Sequence, residues 1–129
     1  MKPIIKKSDY ATIKALMEQL SPSEKTKELG ALQTELHRAT VMDDREFPGD
    51  LIQLESYFEI RDLQSGKTFC YTLTVPKRAN LSEKRLSIFS PLGVALIGFR
   101  QGKSFSWEMP GGLRKFVIEK VSQTVPENV

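Results

Sequence analysis

The sequence has little of what catalysis, metal binding and covalent cross-linking require. Among its 129 residues there is one cysteine, Cys70, and one histidine, His37. A single cysteine cannot form an internal disulfide, and no second cysteine or histidine lies near it at a metal-ligand spacing. Neither a Gly-rich phosphate loop nor a nucleophile motif occurs. We therefore predict no catalytic residue, no metal and no cofactor, and no small-molecule substrate is evident.

Long hydrophobic runs are also missing. Nowhere do about 18 apolar residues follow one another, which is the length that a membrane-spanning helix needs. The N-terminal Met-Lys-Pro-Ile-Ile-Lys-Lys is basic but lacks the continuous apolar core of a secretion signal. We expect no membrane contact and a cytoplasmic location.

The chain also lacks a large excess of charge of either sign. The net charge is +3, with −1 on residues 1–50 and +4 on residues 51–129. This mild basic bias falls well short of the dense basic stripe of a strong nucleic-acid binder. Weak nucleic-acid contact stays open as an alternative partner, but the charge alone does not argue for it.

Two segments near the N-terminus have the periodicity of amphipathic helices. Steps of three and four residues separate two sets of apolar positions: Tyr10, Ile13, Met17 and Leu20, then Leu29, Leu32, Leu36 and Ala39. The first segment covers 8–20, with Ser8 as a candidate N-cap. The matching seams predict a short antiparallel helical hairpin, a small coiled coil.

The turn of this hairpin reads Ser21-Pro22-Ser23-Glu24. A serine cap, a proline in the first turn and a glutamate three residues after the cap form the pattern of a capping box. Ser21, Ser23 and Glu24 are the predicted hairpin tip. Glu24 could complete the cap, contact a partner or lend its carboxylate to a metal, and the pattern favours the cap.

After Val41 the charged stretch 43–50, which contains a Pro-Gly pair, is typical of a linker. Beyond it the period of the apolar positions changes to two, which predicts strands at 52–60, 69–75, 86–89, 104–109 and 113–121. Between them, Ser90 and Pro91 are the N-cap and first-turn proline of a helix over 92–97, which Gly98 ends.

The predicted fold class is therefore α+β, with a helical hairpin ahead of a mostly antiparallel sheet and one short helix. The predicted domains are the hairpin 1–42, the linker 43–50, the sheet domain 51–122 and a tail 123–129. We expect a fragment starting at Phe47 to fold alone.

Three single residues carry weaker signals. Cys70 alternates with aromatic residues in a strand and is expected to be a small buried residue. His37 is expected on the surface or in the packing of the hairpin. Trp107 could be a core aromatic or could line an exposed pocket.

The run from Ser87 to Gly98, followed by Gly102, Trp107 and 110–112, resembles the C-terminal domain of the bacterial Gre transcript-cleavage factors. The shared pattern is a strand, Ser-Pro, a small-residue helix ending in Ala-Leu-x-Gly, a turn glycine and a Pro-x-Gly hairpin. The resemblance covers about residues 50 to 122. It implies an FKBP-like domain that binds RNA polymerase through a corner formed by Ser90, Pro91, Leu92 and Gly93.

The N-terminal half departs from the cleavage factors, which carry a long coiled coil with acidic residues at its tip. Here the arm 8–20 would span only about 20 Å at 1.5 Å per residue. In its short arm the chain resembles the Rnk branch of the Gre superfamily. This resemblance implies a transcription regulator, not an enzyme, that binds RNA polymerase and acts by occupancy near the secondary channel without transcript-cleavage activity.

Two alternatives come from other classes. The FKBP-like fold would also suit a peptidyl-prolyl isomerase, although fold analogy is weak support because function depends on the site. A weak nucleic-acid-binding module is the other alternative, and it would show steep salt dependence.

Overall fold

The computed structural model describes residues 3–21, 23, 27–109 and 111–123, and they form a mixed α+β architecture. Within these residues the helices are α1 (Lys7–Glu18), α2 (Lys27–Arg38) and α3 (Pro91–Leu96). The strands are β1 (Ile4–Lys6), β2 (Thr40–Met42), β3 (Tyr57–Asp62), β4 (Thr68–Thr74), β5 (Arg85–Ser87), β6 (Ser104–Met109) and β7 (Gly112–Ser122). Two short 3₁₀ turns, Pro76–Arg78 and Leu81–Glu83, connect β4 to β5.

Five strands form one sheet in the order β5-β4-β3-β7-β6. Its pairs are antiparallel except β4 with β5, which are parallel, so the sheet is mixed. The predicted positions of β4, β6 and β7 are confirmed to within one residue at each end, because period-two patterns and turn glycines fix them locally. Gly66 and Gly102 have positive φ in the turns before β4 and β6, and Gly112 has positive φ at the start of β7.

The strand predicted to begin at Ile52 begins only at Tyr57. All four residues from Leu51 to Leu54 are buried, so burial does not alternate there. Glu55 then takes a left-handed φ of 65°. Because a left-handed residue breaks an extended chain, the segment before Tyr57 is irregular backbone that crosses the core.

The short strand predicted at 86–89 is also shifted, to Arg85–Ser87. The Ser87 side chain explains its end: its Oγ accepts a hydrogen bond from Phe89 N at 3.0 Å, and its carbonyl accepts from Ser90 N at 3.0 Å. Two bonds to one serine close a turn, which stops the strand.

The predicted N-cap at Ser8 is wrong. Helix α1 starts one residue earlier, with Lys6 as the cap residue, whose side chain cannot accept a hydrogen bond. The carboxylate of Asp44 takes over: it accepts from Ser8 N at 3.0 Å and from Ser8 Oγ. A residue of the predicted linker therefore caps the helix from outside.

A second, two-stranded sheet was not predicted. In it β1 and β2 pair in parallel, with Ile4 opposite Thr40 and Lys6 opposite Met42. The two strands are the segments that enter α1 and leave α2, so they close the base of the helical segment. Each has only three residues, too few for a period-two pattern to stand out.

One hydrophobic cluster joins the N-terminal segment to the sheet. Ile5, Ile13, Leu32 and Leu36 pack in the same core as residues from the sheet and from α3, among them Phe58, Leu73, Leu96, Phe116 and Ile118. Helix α2 packs against α3. A groove of about 210 Å³, lined by Tyr10, Met17, Leu29 and Leu36 among others, lies between α1 and α2. The zipped hairpin and the domain boundaries stay predictions.

Candidate functional site

The corner predicted to bind a partner is built around Ser90. Its backbone is extended, and its Oγ accepts a hydrogen bond from Gly93 N at 3.1 Å, which makes it the N-cap of α3. The same hydroxyl donates to Ser87 O at 2.7 Å, while Val94 N donates to Ser90 O at 3.0 Å. Pro91 follows at the first helical position, where its missing N–H costs nothing. The sequence prediction of this cap is confirmed.

Gly93 fixes how closely the corner approaches the sheet. A Cβ at this position would collide with Ser87 O and would lie 3.1 Å from Leu73 Cδ1, so only glycine fits. The four corner residues differ in exposure: Pro91 is exposed, Ser90 and Leu92 are half-buried, and Gly93 is buried. Leu92 also packs against the hydrophobic core. The corner is therefore rigid and presents mainly Pro91 to solvent.

A cleft of about 500 Å³ adjoins this corner. Helix α2, helix α3 and strand β6 form its walls, and its lining includes Lys27, Glu35, Pro91, Val94, Trp107 and Glu108. Trp107 is half-buried and also packs against the core, so it combines both roles that the sequence left open. Sequence reasoning missed Glu35, because the parts of the cleft that α3 and β6 contribute lie more than 50 residues away along the chain.

The predicted hairpin tip is described only in part. Ser21 and Ser23 are exposed, and their hydroxyl oxygens lie 3.0 Å apart. Glu24 lies outside the described residues. Neither of these two serines is among the residues that line the cleft beside the corner at Ser90.

A polar joint ties the helical segment to the sheet domain, and sequence reasoning missed it. Gln53 is its centre: its Oε1 accepts from Lys6 N at 2.8 Å, and its Nε2 donates to Ile4 O at 2.7 Å. The buried carboxylate of Asp9 accepts from Leu54 N at 2.9 Å. Pairs separated by more than 40 residues leave no local signal in the sequence.

The environment of Asp9 shifts its titration. Burial raises the pKa of Asp9 to about 6, although nearby Lys6 and the Leu54 N–H favour the charged form. Asp44, by contrast, accepts hydrogen bonds from Ser8, which lower the pKa of its carboxyl below the usual range. The pKa values of Asp9 in the joint and of Asp44 at the start of α1 are therefore shifted in opposite directions.

Gly98 completes the contact between the two parts. It has φ +82°, as predicted for a residue that ends α3. A Cβ here would lie 2.6 Å from Pro3 Cβ and 2.9 Å from Ile4 N, and its carbonyl accepts from Ile4 N at 3.0 Å. Strand β1 therefore rests directly on this glycine.

The aromatic residues of the sheet pack mainly on one another. Phe116 is buried, with Phe105 stacked on it at 5.6 Å between ring centroids and Phe69 edge-on at 6.4 Å. Cys70 is half-buried, so the expected full burial is not what the structure has, while His37 is exposed as expected. Within the described part of the chain, no group of three or more His, Cys, Asp or Glu is placed to hold a metal ion.

Comparison with known proteins decides the family. Residues 48–123 match the family model described as transcription elongation factor, GreA/GreB, C-terminal. The chain belongs to the GreA/GreB family. A solved structure of the prokaryotic transcription elongation factor GreA/GreB from Nitrosomonas europaea has 33% sequence identity and a TM-score of 0.81, covering 95% of this chain and 98% of that one. The GreA-like fold is thus shown over nearly the whole chain.

Two curated relatives of this GreA/GreB family protein have different names. The regulator of nucleoside diphosphate kinase from Escherichia coli is 39% identical over 83 residues, which cover 64% of this chain and 61% of the relative. Transcription elongation factor GreA from Methylococcus capsulatus is 33% identical over 91 residues, covering 70% of this chain and 58% of the relative. The chain therefore spans about three fifths of the length of these relatives.

The family and the helices of the structure each bear on one of the sequence predictions. The GreA/GreB and Rnk-like proteins are transcription regulatory factors and not enzymes in themselves, as the sequence predicted for this chain. No helix in the described ranges is long and apolar enough to cross a membrane.

Proposed function

We propose that this chain is a cytoplasmic regulator that binds RNA polymerase through the corner Ser90–Gly93 and acts by occupancy near the secondary channel. The corner supports this proposal because it is both rigid and exposed at one residue. The backbone N–H groups of Ser90, Gly93 and Val94 are all hydrogen-bonded within the corner, and Pro91 stands at its outer end. A preformed contact surface loses little conformational entropy on binding, which favours affinity.

The docking surface can be tested with a substitution that the fold tolerates. Leu92→Asp would confuse binding with stability, because Leu92 packs against the core. Pro91→Glu is better, since Pro91 is exposed and an acidic residue suits the first turn of a helix. We expect Pro91→Glu to weaken binding to core RNA polymerase about tenfold, the effect of losing about 1.4 kcal/mol.

Leu81→Glu is the matched control, because Leu81 is 63% exposed and lies in the connection between β4 and β5. Equal affinity of wild type and Pro91→Glu, both folded, would place the docking surface elsewhere.

We further propose that the chain does not stimulate transcript cleavage. Helix α1 has 12 residues and so extends only about 18 Å at 1.5 Å per residue. Metal-assisted cleavage needs carboxylates within about 2 to 2.5 Å of the ion, so a missing reach of a few ångströms abolishes coordination. In a stalled polymerase complex, saturating protein should leave the rate of RNA 3′ shortening at the polymerase's own level.

Glu24→Ala sharpens that measurement, since Glu24 is the acid of the predicted tip. Cleavage above the intrinsic rate, lost in Glu24→Ala, would make the chain a cleavage factor instead.

A further inference from the structure

The cleft between α2, α3 and β6 is lined by Glu35, one of whose two carboxylate oxygens has no donor among the described residues. Glu35 Oε1 pairs with Arg38 at 3.0 Å. Glu35 Oε2 is buried and has no hydrogen-bond partner among the residues that the structure describes. Buried acceptors in proteins are nearly always paired, so this oxygen makes Glu35 a candidate acceptor for a donor that enters the cleft once the carboxylate turns.

The other walls of the cleft restrict what that donor can be. Trp107 is half-buried and offers an aromatic surface, while Val94 and Ala95 provide an apolar wall. The lining holds two carboxylates, Glu35 and Glu108, and one ammonium, Lys27. Arg38 pairs with Glu35 from outside the lining, so the cleft has an excess of negative charge only once Arg38 releases Glu35. An arginine side chain matches each feature, because its stem covers apolar surface, its guanidinium stacks on tryptophan and its N–H groups donate to carboxylates.

We propose that this cleft receives an arginine side chain from the protein segment that docks on the Ser90–Gly93 corner. Pro91 belongs to both surfaces, so one partner segment can contact the corner and place an arginine in the cleft. The identity of that partner as RNA polymerase rests on the proposed function above. The arginine-binding cleft itself rests on Glu35, Trp107 and Glu108.

The arginine reaches Glu35 by competing with Arg38. Because Oε1 already holds Arg38 and Oε2 is shielded, a small rotation of the carboxylate must accompany binding. Arg38 is exposed at the end of α2 and can exchange its hydrogen bond to Glu35 for water. Removing Arg38 should therefore preserve or improve arginine binding, whereas removing the Glu35 charge should weaken it.

Trp107 makes a direct measurement possible, because it is the chain's only tryptophan. N-acetyl-argininamide added to the full chain should change the tryptophan emission in a saturable manner. N-acetyl-citrullinamide has nearly the same shape without the charge and should not. Glu35→Gln should weaken the arginine response about tenfold, the effect of a lost charge-assisted hydrogen bond. The matched control is Glu46→Gln, an exposed glutamate of the segment 43–50.

Arg38→Gln separates recognition from stability. If Glu35 matters only through its pair with Arg38, both variants will weaken binding equally, and the proposal is wrong. Equal responses to the arginine and citrulline compounds would also overturn it, and that comparison needs no variant to fold.

Binding of core RNA polymerase then tests the two proposals separately. A polymerase complex that is unaffected by Glu35→Gln would remove the arginine cleft and leave the docking proposal standing. Saturable arginine binding without any polymerase complex would remove the docking proposal and leave the arginine cleft standing.

Discussion

The helical segment and the sheet domain are held together by different kinds of contact. Within the sheet, strands β3, β4, β6 and β7 bind one another through backbone ladders that no side-chain titration can alter. The helical segment is attached by the side chains of Asp9 and Gln53, by a backbone hydrogen bond from Ile4 N to Gly98 O and by a shared apolar core. The sheet domain should therefore respond little to conditions, and the position of the helical segment should respond to both mutation and pH.

Removing the helical segment should have the largest effect. A fragment starting at Phe47 loses Ile5, Ile13, Leu32 and Leu36 from the core, and burial of each such side chain stabilises a fold by about 1.5 to 3 kcal/mol. We expect the free energy of unfolding to fall by on the order of 5 kcal/mol or more, which approaches the whole stability of a small domain. Urea denaturation of fragment and full chain measures this. An unchanged midpoint would support the two separable domains that the sequence predicts.

A substitution at Gly98 should have the next largest effect, because it tests the contact between β1 and the end of α3. Alanine there must adopt positive φ, at about 1 to 2 kcal/mol, and must also displace Pro3 and Ile4. We expect Gly98→Ala to lower the free energy of unfolding by about 3 kcal/mol or more.

Gly102→Ala is the control, because Gly102 also has positive φ but open space around it. It should cost about 1 to 2 kcal/mol, the conformational part alone. Equal losses for the two variants would mean that β1 yields without cost.

Asp9 should have a smaller effect on stability than Gly98, and this effect should appear only above acid pH. Its pKa of about 6 lies above the usual 3.8, so the folded state binds a proton more tightly than the unfolded state. The resulting stability is complete below pH 3.8 and is lost as pH rises through 6, a change of about 2 to 3 kcal/mol. Asp9→Asn keeps an acceptor for Leu54 N and cannot ionise. It should match wild type near pH 4 and be more stable at pH 8, as urea denaturation at both values would show.

Asp44 provides the opposite case at the start of α1. Its lowered pKa gives stability above pH 3.8 that is lost in acid, so Asp44→Asn should be less stable than wild type at pH 7 and equal to it in strong acid. Parallel pH profiles for wild type and both variants would show that the joint does not couple to titration.

Local signals explain which parts could be predicted from the sequence. Ser90, Pro91 and Gly98 determine the two ends of α3 within a few residues, and the alternation in 104–109 needs only neighbours, so these elements were predicted closely. The Ser90 cap of the candidate site was predicted for the same reason.

The remaining features depend on residues far apart in the chain. Asp44 caps α1 across 36 residues, and Asp9 binds Leu54 across 45. The effect of these two hydrogen bonds on α1 and on the segment before Tyr57 could not be predicted from neighbouring residues in the sequence. The cleft likewise requires α2, α3 and β6 to meet, which no periodicity reports.

Because β1 and β2 pair in parallel, the attachment of the helical arm does not depend on the length of that arm. The two segments that border the helices lie side by side, with Ile4 paired to Thr40 and Lys6 paired to Met42. This pairing holds the base of the arm together whatever the length of the helices. Whole helical turns, each about 5.4 Å long, could be added to the ends of α1 and α2 beyond the buried Ile13 and Leu29 without altering that base. Arm length is thus a property that evolution or an engineer can vary almost independently of the domain that carries it.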